Sequence, residues 1–404
     1  MILRIIAAAL GVLLVGSAGA SVVSTIVVPG AFRSRLTSAA DRLVNGVFRG
    51  LERIIRDDGR RATVLAFRAA CLLLAQLALW LASCLLGFAL LLLPVTGHSL
   101  GYTLSEAGSA MTTIGFAETQ DAAEKAIAVL AAFASLATLA LQLGYLPALY
   151  GAYNRRETAV ALLNARAGVP TWGPELLART HYGLGTGKSS LGTMPDLYAE
   201  WERWAADVAE SHRTYLPLVY FRSHRPLSSW VTALLGVLDS AALHLALSPS
   251  TAPTIAARLC LRSGFLCFTR IAQALGVPVP DEADPAAGIS LSYAEFEDAV
   301  SRLRRVDFPV ERPAEEAWPH FVGWRVNYER AAYAVARAVS APPALWSGPR
   351  RSGTTPVPPL RPPDNRPDAG NRPRSAGAAR RSADADGGAP QGRDGEEPPG
   401  RDPG

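Results

Sequence analysis

The chain has 404 residues and a formal net charge of +5, length enough for more than one domain. Its positive side is almost wholly arginine, with Lys125 and Lys188 the only lysines. It contains no basic ladder interleaved with aromatic residues, which excludes the usual single-strand nucleic-acid binder. Apolar residues crowd the stretch before position 150, while Pro, Gly and Arg crowd the stretch after 345. Cys71, Cys84, Cys260 and Cys267 complete no zinc spacing and read as packed, reduced thiols.

Residues 1–30 open the chain. Ile2–Val28 is apolar apart from Arg4 and a few small polar residues, and a bilayer core asks for about 20 such residues per helix. The run IIAAALGVLLVG followed by Ala18-Gly19-Ala20 also has the form of a cleavable signal peptide. Cleavage would place the arginine-rich residues 21–62 outside, whereas basic loops stay in the cytoplasm. The reading taken is an uncleaved helix with its N-terminus outside. In the basic segment 31–62, Leu36, Leu43, Val47, Leu51 and Ile55 recur at steps of four or seven. Two readings of that amphipathic segment stand side by side: a helix on the anionic inner leaflet, or one packed on a cytoplasmic domain.

Residues 63–150 supply two further spans, an outer helix at 63–93 with Arg68 near one end and an inner helix at 122–150. With 31–62 inside, the loop Pro94–Asp121 faces outward and the inner helix returns Asn154-Arg155-Arg156 to the cytoplasm. Within that loop, Ser105–Glu118 reads SEAGSAMTTIGFAE. A short segment dipping into lipid must hide its backbone polar groups or use them to hold something, as a filter for dehydrated cations does.

A span, a re-entrant loop carrying Thr112-Thr113-Ile114-Gly115-Phe116 and a second span resemble the bacterial potassium channels with two transmembrane helices and a single pore loop per subunit. The family's filter core is T-T-[VI]-G-[YF]. With the spans and helical patterns read along the chain, the resemblance gives an all-α membrane protein: a two-helix pore-loop module with an extra N-terminal helix and a helical cytoplasmic domain. It further implies a pore loop at 100–119, with Leu104–Met111 as its short helix. Thr113 would offer its hydroxyl and carbonyl to a cation; Ile114, Gly115 and Phe116 would offer carbonyls, with Phe116 packing outward as a strut. One loop cannot surround an ion, so a homotetramer is implied, with permeant potassium and no other cofactor. Three positions depart from the pattern. Ala117 replaces the second filter glycine, Glu118 stands where the family has Asp, and Ser109 replaces the glutamate that commonly braces the filter. Glu106, one helical turn earlier, is a candidate substitute for that brace. Ala117 keeps a second reading open: a non-conducting membrane scaffold or sensor whose helical domain binds a cytoplasmic protein partner.

Gly144 and Pro147 are hinge candidates in the inner helix. Glu124, with Glu118 and Asp121, reads either as an acidic vestibule or as a solvated rim. Residues 151–345 read as a helical cytoplasmic domain. Leu197, Trp201, Trp204 and Val208 share one helix face, and Trp230–Leu247 reads as a core helix rather than a fourth span, because Asp239 and His244 are costly in lipid. YNRRE at 153–157 and AGVPTWGPELL at 167–177 resemble cytoplasmic regions of bacterial two-helix channel proteins. Gly183–Ser190, GLGTGKSS, lacks the phosphate-loop spacing and a preceding strand. The six histidines form no ligand pair, and no serine sits in a nucleophile elbow, so neither metal site nor enzyme is expected. Residues 346–404 are expected to be a disordered Pro/Arg/Gly-rich tail, with Pro356–Pro363 able to dock on an aromatic groove. The localisation expected is the bacterial plasma membrane, crossed several times, with the C-terminal region cytoplasmic and no nucleic-acid partner.

Overall fold

The computed structural model describes residues 2–28, 34–55, 57–115, 121–182, 190–350 and 353–360. Its elements are helices: α1 (Ile2–Val22, extended by a π turn at Val23–Val27), α2 (Arg35–Ile54), α3 (Asp58–Ala66), α4 (Arg68–Thr96), α5 (Leu100–Met111), α6 (Ala122–Ala167), α7 (Gly173–Tyr182), α8 (Met194–Thr214), α9 (Trp230–Leu247), α10 (Thr254–Ala274), α11 (Tyr293–Arg304), α12 (Ala314–Arg325) and α13 (Glu329–Ala338). Among the described residues β pairing is confined to two isolated bridges, Val169 with Leu360 and Ala344 with Val357. Four segments are long and apolar enough to cross a membrane: Ile2–Val27, Gly59–Thr96, Ala122–Ala167 and Trp230–Leu247. The chain is thus all-α and of membrane-protein type.

Helices α1 and α4 run antiparallel and touch through glycine. A Cβ on Gly11 would lie 2.7 Å from the Gly87 carbonyl oxygen, and one on Gly87 would lie 2.7 Å from Val15 Cγ2. In lipid, where apolar burial alone does not drive association, small residues that let backbones approach are what hold helices together. At the far end of the pair Trp80, almost wholly buried, donates its indole N–H to Ser21 Oγ at 2.8 Å.

The outer helix is not the single rod expected over 63–93. It breaks at Phe67, and Arg68 starts a new helix as a buried residue. Its Nε donates to Asn45 Oδ1 at 2.9 Å and its Nη1 to the Ala338 carbonyl at 3.0 Å, while the guanidinium lies 4.1 Å from the centre of the Tyr220 ring. The break turns that charge away from lipid and onto protein acceptors.

Helix α2 has two apolar sides. Thr37, Ala40, Val44 and Phe48 are buried, with α4 as a packing partner. Of the stripe read from the sequence, Leu43 and Val47 are exposed, as is Ile54 beside them, while Leu36, Leu51 and Ile55 are half-buried. Helix α6 runs unbroken for 46 residues, about 69 Å at 1.5 Å per residue, more than twice a bilayer core. The boundary expected at 150/151 is therefore the middle of a helix.

The helical domain is built around α9, every residue of which is buried. Asp239 accepts from Tyr328 Oη at 2.9 Å and pairs with the fully buried Arg325. That pairing is why a carboxylate can sit in so apolar a helix. Arg325 also donates to Glu329 Oε2 at 2.6 Å, Tyr333 Oη at 2.9 Å and the Trp346 carbonyl at 2.7 Å. On α8, Leu197, Trp201, Trp204 and Val208 are buried as the spacing indicates, with α10 as the main neighbour.

The tail boundary at 346 moves. Trp346, Ser347 and Arg350 are buried, and all five Arg350 N–H groups have acceptors in the segment 341–348. The proline-rich segment docks on its own chain through Val357 and Leu360. Residues 361–404 lie outside the described residues.

Candidate functional site

The segment singled out in the sequence lies at the end of α5. Gly97 in the left-handed region (φ +70°) closes α4, and the Ser99 side chain caps α5 by accepting from the Tyr102 N–H at 3.5 Å. The short helix begins at Leu100, four residues before the predicted start, and buries Thr103, Glu106, Ala107 and Ser109 in the groove between α4 and α6. Ser135 of α6 donates to the Met111 carbonyl at 2.7 Å, fixing the C-terminal end of α5 against the inner helix.

Beyond Met111 the backbone leaves the helix in two left-handed steps. Thr112 still belongs to the last turn, with its N–H 3.0 Å and its hydroxyl 2.7 Å from the Gly108 carbonyl. Thr113 has φ +59° and Gly115 φ +68°. Glycine adopts that conformation freely, whereas a substituted residue costs about 1–2 kcal/mol there. Two weak anchors hold the turn: Thr113 N–H to the Ala110 carbonyl at 3.1 Å and Gly115 N–H to the Ser109 carbonyl at 3.4 Å. The carbonyls of Thr113, Ile114 and Gly115 accept no hydrogen bond among the described residues, and Ile114 is 71% exposed. The Thr113 hydroxyl does not point away from the chain as a bare ligand; it donates to the Thr112 carbonyl at 2.7 Å and keeps its lone pairs. Phe116, Ala117 and Glu118 lie outside the described residues.

Ser109 and the proposed substitute brace Glu106 are both buried. The Glu106 carboxylate has no hydrogen-bond partner among the described residues. Glu124 does not form a solvent-facing vestibule as expected. It is buried at the start of α6, where it accepts from the Asp121 N–H at 3.3 Å in a capping box. Asp121 stays exposed. The hinge candidates Gly144 and Pro147 are exposed on α6, and the helix passes both without interruption.

The C-terminal part of α6 carries a second constellation that sequence reasoning missed. Arg156 is fully buried. Its Nη1 donates to the Leu218 carbonyl at 2.8 Å and to His212 Nε2 at 2.9 Å, its Nη2 to the Phe221 carbonyl at 2.7 Å, and Glu157 pairs with it at 2.8 Å. Trp204 Nε1 in turn donates to the Arg156 carbonyl at 3.3 Å. Because a guanidinium only donates, His212 Nε2 must accept and the imidazole is neutral, with its proton on Nδ1, which lies 3.1 Å from Ser211 Oγ. Burial first, and then the Arg156 charge, hold its pKa well below the ordinary imidazole value. One residue thus ties the long helix to α8 and to the 3₁₀ turn at Leu216–Tyr220. The YNRRE string was its only signal, and nothing in that string says which arginine is buried.

No group of three metal-ligating side chains occurs among the described residues. The GLGTGKSS stretch lies outside them except for Ser190. Cys260 and Cys267 are buried, and burial raises both thiols. No protein-family model, curated protein or solved structure matches this chain.

Proposed function

We propose that the chain is a subunit of a tetrameric cation channel, selective for potassium, with Thr112–Phe116 lining the filter and the helical domain acting on the pore through α6. The observation that carries this reading is the exposed turn at Thr113–Gly115. Three successive carbonyls there accept no hydrogen bond among the described residues, and two left-handed residues re-aim the backbone. Carbonyl oxygens left unpaired at the end of a buried short helix suit a dehydrated cation, which replaces its water shell with such groups. A strained non-glycine residue is also more at home in a working site than in an ordinary loop. A single chain supplies one such turn, so four around an axis are required.

The second reading rests on one residue. Ala117 stands where the resembled family has glycine, and alanine resists the left-handed backbone that aims a carbonyl inward. A chain that keeps the frame without conducting would serve as a scaffold whose helical domain binds a partner.

Purified protein in planar bilayers separates the two. A potassium-selective current is expected, lost in Gly115→Ala, with tetramers in detergent for both proteins. Intact tetramers silent at every voltage would establish the scaffold; a monomer or dimer would remove the pore altogether.

A further inference from the structure

A cavity of about 160 Å³ lies where the membrane-proximal helices meet the helical domain. Glu52 of α2 and Arg61 of α3 line one side; Arg222, Pro342 and Arg350 line the other. A buried water needs about 10–15 Å³ on this measure, so the space admits a group of several heavy atoms.

The lining carries three guanidinium groups and a single carboxylate among the described residues. Arg222 uses Nη1 on the carbonyls of Ser340, at 2.8 Å, and Val339, at 3.5 Å, and its Nε and Nη2 make no hydrogen bond among the described residues. Arg350 spends its donors on the carbonyls of Ala341, Pro342, Ser347 and Gly348 and on the Ser347 hydroxyl, so its charge is solvated by dipoles but not neutralised. Arg61 donates twice to the Ile55 carbonyl, at 3.2 and 3.0 Å. Glu52, buried, forms no ion pair within 4 Å among the described residues. Burial pulls both Arg222 and Arg350 down to about 10; Glu52 opposes the shift at Arg222 while Arg68 adds to it, and at Arg350 the like charges of Arg337 and Arg222 add to it. The partly dehydrated positive charge of Arg222 and Arg350 is costly without a counter-ion, and the free Nε and Nη2 of Arg222 form a planar fork that fits phosphate oxygens in pairs.

We propose that this cavity binds a phosphate-bearing anion, held by the free Nε and Nη2 of Arg222 and by the charges of Arg61 and Arg350, which joins α2 and α3 to the helical domain. Lipid headgroups and soluble phosphate compounds share that chemistry. A ligand that touches both sides stabilises their docked arrangement by mass action.

The test uses the full chain, in detergent with inorganic pyrophosphate and in phosphatidylcholine nanodiscs with or without phosphatidic acid. Thermal melting and equilibrium titration are read at matched ionic strength. A rise in melting temperature beyond that given by sodium chloride is expected. Pyrophosphate acting alone identifies a soluble ligand, and phosphatidic acid acting alone identifies a lipid. Arg222→Gln and Arg61→Gln should each weaken binding roughly tenfold, and Glu52→Gln should tighten it by a similar factor, the size of one charge at short range in a half-screened site. Arg61→Gln keeps the test open if Arg222→Gln fails to fold. No response to either probe, or unchanged affinity in both Arg61→Gln and Glu52→Gln, would overturn the proposal. No current is measured, so the outcome is independent of the channel reading.

Discussion

At the scale of single residues, the chain places charge inside protein and satisfies it there. Arg68, Arg156 and Arg325 are all buried, each with acceptors on at least two segments. His212 shows what that arrangement implies for pH. Its folded-state imidazole binds a proton less readily than in the unfolded chain, so the unfolded state takes up the proton first as pH falls below about 6.5. Stability therefore holds above that pH and declines below it, by at most about 1.4 kcal/mol per unit. Melting in detergent between pH 7.5 and 5 should show this decline. His212→Gln, which can still accept from Arg156, should make it shallower. An equal slope in that variant would mean the dependence arises elsewhere. None of this was legible in the sequence, where His212 is one of six scattered histidines.

At the scale of elements, helix existence was readable and helix ends were not. The apolar runs announce α1, α4, α6 and α9, because a stretch of that length and hydropathy must be a span or a core helix. Asp239 argued for the core, and complete burial of α9 agrees with that choice. The ends depend on partners. Phe67 breaks the outer helix where Arg68 finds Asn45 and Ala338, and α6 continues past 150 because Arg156 is received by the helical domain. The α1–α4 contact gives an element-level prediction. A side chain on Gly87 would meet both Val15 and the Gly11 carbonyl, at 2.7 and 3.1 Å. Gly87→Leu should thus destabilise the pair by about 1–3 kcal/mol, the usual cost of overpacking. A drop in melting temperature is the expected readout, while Gly16→Leu, with open space around its Cβ position, should leave melting nearly unchanged.

At the scale of the whole molecule, the segment 341–360 closes the helical domain although its composition reads as tail. A chain ended after Leu345 loses the Trp346 carbonyl that Arg325 donates to and every contact of Arg350. It should melt clearly below a chain ended after Leu360, because one donor of the buried Arg325 loses its acceptor, a loss of about 1–3 kcal/mol, and the buried Trp346 leaves the core. Equal melting of the two would mean that the segment merely rests on the surface.

The sequence by itself determined the all-α class, the apolar segments, the Thr-Thr-Ile-Gly string and the amphipathic face of α8, since each depends only on residue type and spacing along the chain. Tertiary structure alone decided the left-handed turn at Thr113–Gly115, which side of α2 is buried, and that Glu124 is a buried cap rather than part of a rim. It also brought Arg61, Arg222 and Arg350 to one cavity from positions up to 289 residues apart (350 − 61). Local patterns record what a residue prefers, whereas burial and charge neutralisation depend on neighbours that only the folded chain supplies.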